Sequence, residues 1–136
     1  MCIDVFSQEQ NPESTLEKAD DPKTISASLA AEGWLKDVDN DNFEATWNNA
    51  SGLFKKMVPK KQWISKLSNV RKVFGKVKDR KIIGTKYSTT LPGAPDGEYI
   101  TIFYETNFEN KKGAIETITP MLDNDSQWRV AGYYIK

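Results

Sequence analysis

Apolar residues change their spacing once along this chain, near Gly75: before it they recur at helical intervals, and after it they alternate as in strands. Asp21 followed by Pro22 predicts a helix start, with Asp21 as the N-cap and Pro22 in the first turn. Ala27, Ala30, Ala31, Trp34, Leu35 and Val38 then form one stripe of an amphipathic helix. The run Asp39-Asn40-Asp41-Asn42 ends it, and Asp41 with Glu44 has the spacing of a capping box for the next helix. Phe43, Trp47, Ala50, Phe54 and Met57 share a second helical face. Asn48, Asn49 and Gly52 weaken its middle, so it reads as one rod or as two short pieces. After Val58-Pro59 the helical pattern restarts. Trp63, Leu67, Val70 and Phe74 are its inner stripe, and Gly75 is placed to end it.

Beyond Gly75 the pattern predicts four strands: Val77–Thr90, Tyr99–Phe108, Ala114–Leu122 and Gln127–Ile135. Asn110-Lys111-Lys112-Gly113 and Asp123-Asn124-Asp125-Ser126 have the composition of tight turns. The first connection, Leu91-Pro92-Gly93-Ala94-Pro95-Asp96-Gly97-Glu98, is longer. Its prolines and glycines exclude helix and strand and call for positive φ at Gly93 or Gly97. Pro120 has no amide hydrogen and so belongs at a bulge or an unpaired position. Strands joined by short turns form an antiparallel meander. Helices followed by a meander make an α+β domain. The expected form is N-terminal helices on a curved four-stranded sheet, cone-like in the manner of nuclear-transport-factor-two-like or cystatin-like folds.

Strict alternation puts Ile100, Ile102, Tyr104, Phe108, Ile115, Met121, Trp128, Val130 and Tyr134 on one sheet face. It puts Ile83, Tyr87, Tyr99, Phe103, Ile118, Leu122, Ala131, Tyr133 and Ile135 on the other. Three helices cover one face only. The expectation is therefore an apolar sheet surface that meets a partner, most simply a second copy, with Phe103 and Tyr133 at or near the contact.

Residues 1–20 are polar after Phe6 and contain Pro12, which predicts a flexible tail ahead of a single domain over residues 21–136. Val5-Phe6-Ser7 has the residue sizes found at a signal-peptide cut. An apolar core before it is missing, so that reading needs Met1 to be an artificial start. No apolar run is long enough to span a membrane as a helix.

The chain has 136 residues, no histidine and one cysteine, Cys2. Catalysis that uses histidine is excluded, as are an internal disulfide and histidine- or cysteine-rich metal sites. Neither a metal nor a cofactor is expected, and no residue is assigned as catalytic.

The net charge is zero but unevenly spread. Residues 1–50 carry three lysines against eleven acids, net −8. Residues 51–90 carry twelve Lys and Arg against Asp79 alone, net +11. Residues 91–136 carry four basic and seven acidic residues, net −3. The basic third would bind anions if residues 55–86 formed one patch. Its aromatics lie on the buried stripe of the third helix rather than among the lysines, which argues against nucleic acid.

Glu105, Glu116 and Arg129 fall within strands, where a neutral residue would be less costly to bury. They read as a cross-strand ion pair on a wet face, or as a carboxylate base in a pocket. With Tyr99, Phe103 and Tyr133 they are the candidate ligand or interface residues.

Ala31-Glu32-Gly33-Trp34-Leu35, Trp47, Phe54, Gln62-Trp63, the Tyr87–Tyr99 segment and Trp128-Arg129-Val130-Ala131-Gly132-Tyr133-Tyr134-Ile135 together resemble a bacterial domain family of unknown function. The resemblance runs from about Ala27 to Lys136 and implies a small protein, often exported to the periplasm or beyond. It carries no site residue. The function expected from the sequence is a non-catalytic exported binding or interaction domain. The alternatives are a cone-fold enzyme with a carboxylate base in the sheet pocket, a basic anion-binding module, and a cytoplasmic setting.

Overall fold

The structure is a computed structural model that describes residues 21–136. The expected tail of residues 1–20 and the Val5-Phe6-Ser7 segment lie outside the described residues. Four helices precede four strands: α1 Pro22–Asp39, α2 Phe43–Asn48, α3 Gly52–Met57, α4 Lys60–Phe74, β1 Val77–Ser88, β2 Tyr99–Phe108, β3 Lys111–Leu122 and β4 Trp128–Ile135. The architecture is α+β, with one antiparallel sheet in the order β1-β2-β3-β4.

α1 begins as its sequence requires. The Asp21 carboxylate accepts hydrogen bonds from the backbone N–H groups of Lys23 at 3.1 Å and Thr24 at 3.2 Å, two donors with no partner inside the helix. Its buried stripe is Thr24, Ala27, Ala31, Trp34, Leu35 and Val38. The expected capping box at Asp41 does not form. Asp41 instead takes a left-handed conformation, φ 62°, and closes the end of α1. Its N–H donates to the Val38 carbonyl at 3.1 Å, and that of Asn42 to the Asp37 carbonyl at 2.8 Å. This is a Schellman closure with aspartate in the position that usually holds glycine. α2 is left without a side-chain cap.

The second helical stretch is two pieces. Ser51 caps α3 by accepting from the Phe54 N–H at 3.1 Å. Its own N–H donates to the Val130 carbonyl at 2.8 Å, so the edge of β4 is held by the helical layer. β1, the other edge strand, has exposed Ile82 and Ile83 at a bulge.

The core lies between helices and sheet. Trp34 stacks at a tilt 5.2 Å from Tyr133, and Phe54 meets Trp63 edge-on at 4.8 Å. Thr46 satisfies both buried indoles: its carbonyl accepts from Trp34 Nε1 and its hydroxyl from Trp63 Nε1, each at 2.9 Å. The three tryptophans on helical stripes thus build the core or pack against it, Trp47 lying at its edge.

The faces predicted by strict alternation hold for β2 and for Trp128, Val130 and Ala131 at the start of β4, and fail at Ile118, Met121, Tyr133 and Ile135. Ile100, Ile102, Tyr104 and Phe108 face the helices, as do Ile118, Tyr133 and Ile135, which alternation had set on the opposite side. The cause is register: the pairing slips between Thr106 and Phe108 and again between Thr119 and Pro120. A one-residue slip turns every later side chain to the other face. Pro120 sits at its bulge as its chemistry demands.

Candidate functional site

Three arginines occur among nineteen basic residues, and each is held by more than one hydrogen bond to carboxylates or packed against an aromatic ring. Two of them meet where the C-terminal ends of α1 and α4 approach β1. Asp39, the last residue of α1, accepts from Arg71 Nη1 at 3.0 Å and from Arg80 Nη1 at 2.8 Å. Arg80 Nη2 adds a third bond to Asp39 at 3.1 Å. The other edge of Arg80 turns inward, where its Nε donates to Glu116 Oε1 at 2.8 Å. Two cations and two carboxylates therefore alternate as Arg71, Asp39, Arg80 and Glu116. Placing two positive groups at the end of α1 also suits the negative pole of that helix, which Asp39 alone would not.

Glu116 has no exposed surface. Besides Arg80, the Thr106 hydroxyl donates to it at 2.6 Å and the Tyr133 hydroxyl donates to its second oxygen. The phenol of Tyr133 titrates well above the ordinary tyrosine range, first because it is buried and then because it faces the Glu116 charge. Arg80 is raised as well: its burial works against the charge, but its bonds to Asp39 and the field of Glu116 outweigh that. Tyr104, opposite Glu116 in the sheet, is pushed up by burial and by Glu32, and its buried hydroxyl has no partner among the described residues.

Two open clefts flank this chain of charges and share Asp39. The smaller, about 320 Å³, is bounded by Glu32, Lys36, Arg80, Ile82 and Tyr104. The larger, about 730 Å³, lies between the ends of α1 and α4 and the start of β1, with Phe43, Ser68, Arg71, Lys72, Lys76 and Val77 among its walls. Arg71 is 7% exposed. Its guanidinium lies 5.0 Å from the Phe108 ring centre, and its Nε is buried with no hydrogen-bond partner.

The structure separates the site residues expected from the sequence. Glu105 pairs with exposed Lys81 at 3.2 Å. Glu116 belongs to the buried chain of charges. Arg129 holds the β3–β4 turn, bonding Asp123 at 3.0 Å and Asp125 at 2.9 Å, which keeps the Asp125 carboxyl below its ordinary value. The expected pairing of Arg129 with Glu105 or Glu116 is therefore replaced by local partners and by Arg80. Tyr133 faces the helices and is fully buried. Tyr99 and Phe103 occupy the other face, as expected, but neither has exposed surface. Tyr99 packs with Leu53, Leu91, Ala94, Met121 and Ala131, and its hydroxyl donates to the Pro95 carbonyl at 2.5 Å. The open aromatic sheet surface expected from alternation is absent at these three residues.

Asp39, Arg71 and Arg80 were not among the expected residues. Their signal was the arginine itself. Its planar fork binds carboxylates bidentately, so arginine standing where the chain otherwise uses lysine marks an ion pair with geometry to keep.

No helix among the described residues is long and apolar enough to cross a membrane. Among those residues no group of acidic or cysteine side chains is arranged to hold a metal ion. No curated protein matches the chain, and no solved structure does. Residues 30–133, from the second half of α1 to Tyr133, match the family described as protein of unknown function (DUF4019), and the chain belongs to that family.

Proposed function

We propose that this protein is a non-catalytic binding domain whose ligand lies in the larger cleft, beside Asp39 and Arg71. The observation that carries this reading is the saturation of Glu116. A general base needs reach to a substrate proton. Glu116, the one carboxylate in the core among the described residues, is sealed and accepts from Arg80, Thr106 and Tyr133. The space between helices and sheet is filled by Trp34, Trp63, Phe54 and Tyr133. The open volume is outside the core, where the largely buried Arg71 forms part of one wall among Asp39, Lys72 and Lys76. A concave site with apolar walls and a few fixed polar groups is the usual form of a small-ligand pocket. Partnering through Phe103 and Tyr133 has no support, since both are buried.

A fragment screen followed by amide chemical shifts of the labelled protein tests this. Saturable shifts gathered at Ser68, Arg71, Lys76 and Val77 are expected. Shifts centred on Glu116 and Tyr133, or none across the screen, would overturn it.

A further inference from the structure

We infer that the corner between α3 and α4 docks on the surface of an anionic lipid bilayer, with Met57 and Pro59 entering the headgroup layer among four lysines. This corner is at the other end of α4 from the larger cleft, and the inference does not depend on that cleft.

Lys55-Lys56 and Lys60-Lys61 bracket Met57-Val58-Pro59, and no acidic residue occurs from 45 to 78. α3 ends at Met57 and α4 begins at Lys60, so the apolar residues form the bend between two helices. Met57 is 47% exposed and Pro59 is exposed, while Val58 is half-buried and packs on the core. Trp47 holds the bend from beneath. Its Nε1 donates to the Val58 carbonyl at 2.8 Å, and Lys60 Nζ stands 5.5 Å from its ring centre. A lone exposed methionine would carry no meaning. Its ring of cations sets this one apart.

Those cations are scarcely used by the protein's own acids. Lys60 pairs with Glu44 at 3.3 Å, and Lys55 donates to the Asn48 carbonyl at 3.2 Å. Lys56 and Lys61 are exposed and have no ion pair among the described residues. Lys60 and Lys61 also stand in the first turn of α4, at its positive pole, with no acid there to offset them. Lysines around an apolar point suit a lipid surface: the ammonium groups meet phosphates while the apolar tip enters beside them. Nucleic acid is favoured by arginine forks and open aromatic faces. Here the three arginines are held by other carboxylates and Lys60 lies over the indole.

The full chain is floated with vesicles of phosphatidylcholine alone and with vesicles that also contain phosphatidylglycerol. Binding is expected to the anionic vesicles only, and should weaken as salt rises. Lys56→Glu with Lys61→Glu should lower the affinity about tenfold or more. Lys111→Glu with Lys112→Glu makes the same change of charge in the β2–β3 turn and should leave affinity within about twofold of the parent's. Met57→Ser alters no charge and should lower affinity about threefold, from lost burial of its side chain. Circular dichroism checks that each variant is folded. Absence of binding to the anionic vesicles overturns the inference, as does equal binding to both kinds of vesicle or equal loss from the two lysine pairs. Unchanged binding by Met57→Ser overturns it too: the corner is then a general polyanion surface, for which duplex DNA would compete with the vesicles.

Discussion

Arg80 Nε lies 2.8 Å from Glu116 Oε1, an ion pair whose acid is entirely enclosed and whose base reaches out to Asp39. Such a pair makes a modest net contribution but cannot safely lose one member. Arg80→Ala leaves the Glu116 charge with only two hydroxyl donors. It should cost roughly 3–5 kcal/mol in urea unfolding. Arg80→Met combined with Glu116→Leu should recover much of that loss. Equal losses for the single and double variants would show that the pair contributes more than it costs to bury.

The two glycines with φ of 80° separate backbone strain from crowding. At Gly93 an added Cβ meets nothing within 4 Å, so Gly93→Ala should cost about 1 kcal/mol from conformation alone. At Gly75 the same atom would stand 2.9 Å from the Glu109 Cβ. That clash sits at the junction where Phe74 and Lys76 carbonyls receive the Asn110 and Glu109 amides. Gly75→Ala should therefore lower the melting temperature distinctly more than Gly93→Ala. Thermal denaturation of the two variants side by side gives the ranking.

Tyr99, Tyr104 and Tyr133 are all raised above the ordinary phenol value, burial being the first cause in each. A group whose folded pKa exceeds its unfolded one stabilises fully below the unfolded value, near ~10, and loses that contribution as pH rises through the folded one. Stability should thus begin to fall above about pH 10. In an ultraviolet titration these three phenols should ionise late, and Tyr104 and Tyr133 together with the unfolding transition. Full ionisation of all five tyrosines with the fold intact would contradict their burial.

Phe103 has no exposed surface, so Phe103→Glu buries a charge and removes an aromatic side chain at once. The expected loss is at least ~3 kcal/mol, seen as a lower urea midpoint at any protein concentration. A variant that keeps its midpoint and changes only its sedimentation would return Phe103 to an interface.

Much of the fold was legible because its signals are local. Asp21-Pro22, the stripe from Ala27 to Val38, Gly75 and the alternation in β2 each act over a few residues. Tyr133 was misread for a different reason. Its face depends on the extra residue Ala131, where the pairing passes from Val130–Pro120 to Gly132–Thr119, and nothing at Tyr133 itself records it. The same holds for Asp41, whose spacing to Glu44 suits a cap while the end of α1 claims it first. The candidate site was hidden because its members are distant in sequence: Asp39, Arg71 and Arg80 meet only once α1, α4 and β1 are packed.

The strand order also sets a schedule for folding. Each strand pairs with its neighbour in sequence, through loops that are short or, between β1 and β2, of moderate length. Closing such loops carries little entropy cost, so the hairpins are free to form early. The contact of Trp34 with Tyr133 joins α1 to the last strand, across nearly the whole described chain. Weakening it should mainly speed unfolding and leave the refolding rate close to that of the parent. The lifetime of the folded state is thereby governed by how firmly the first helix is clasped to the last strand, more than by the sheet it covers.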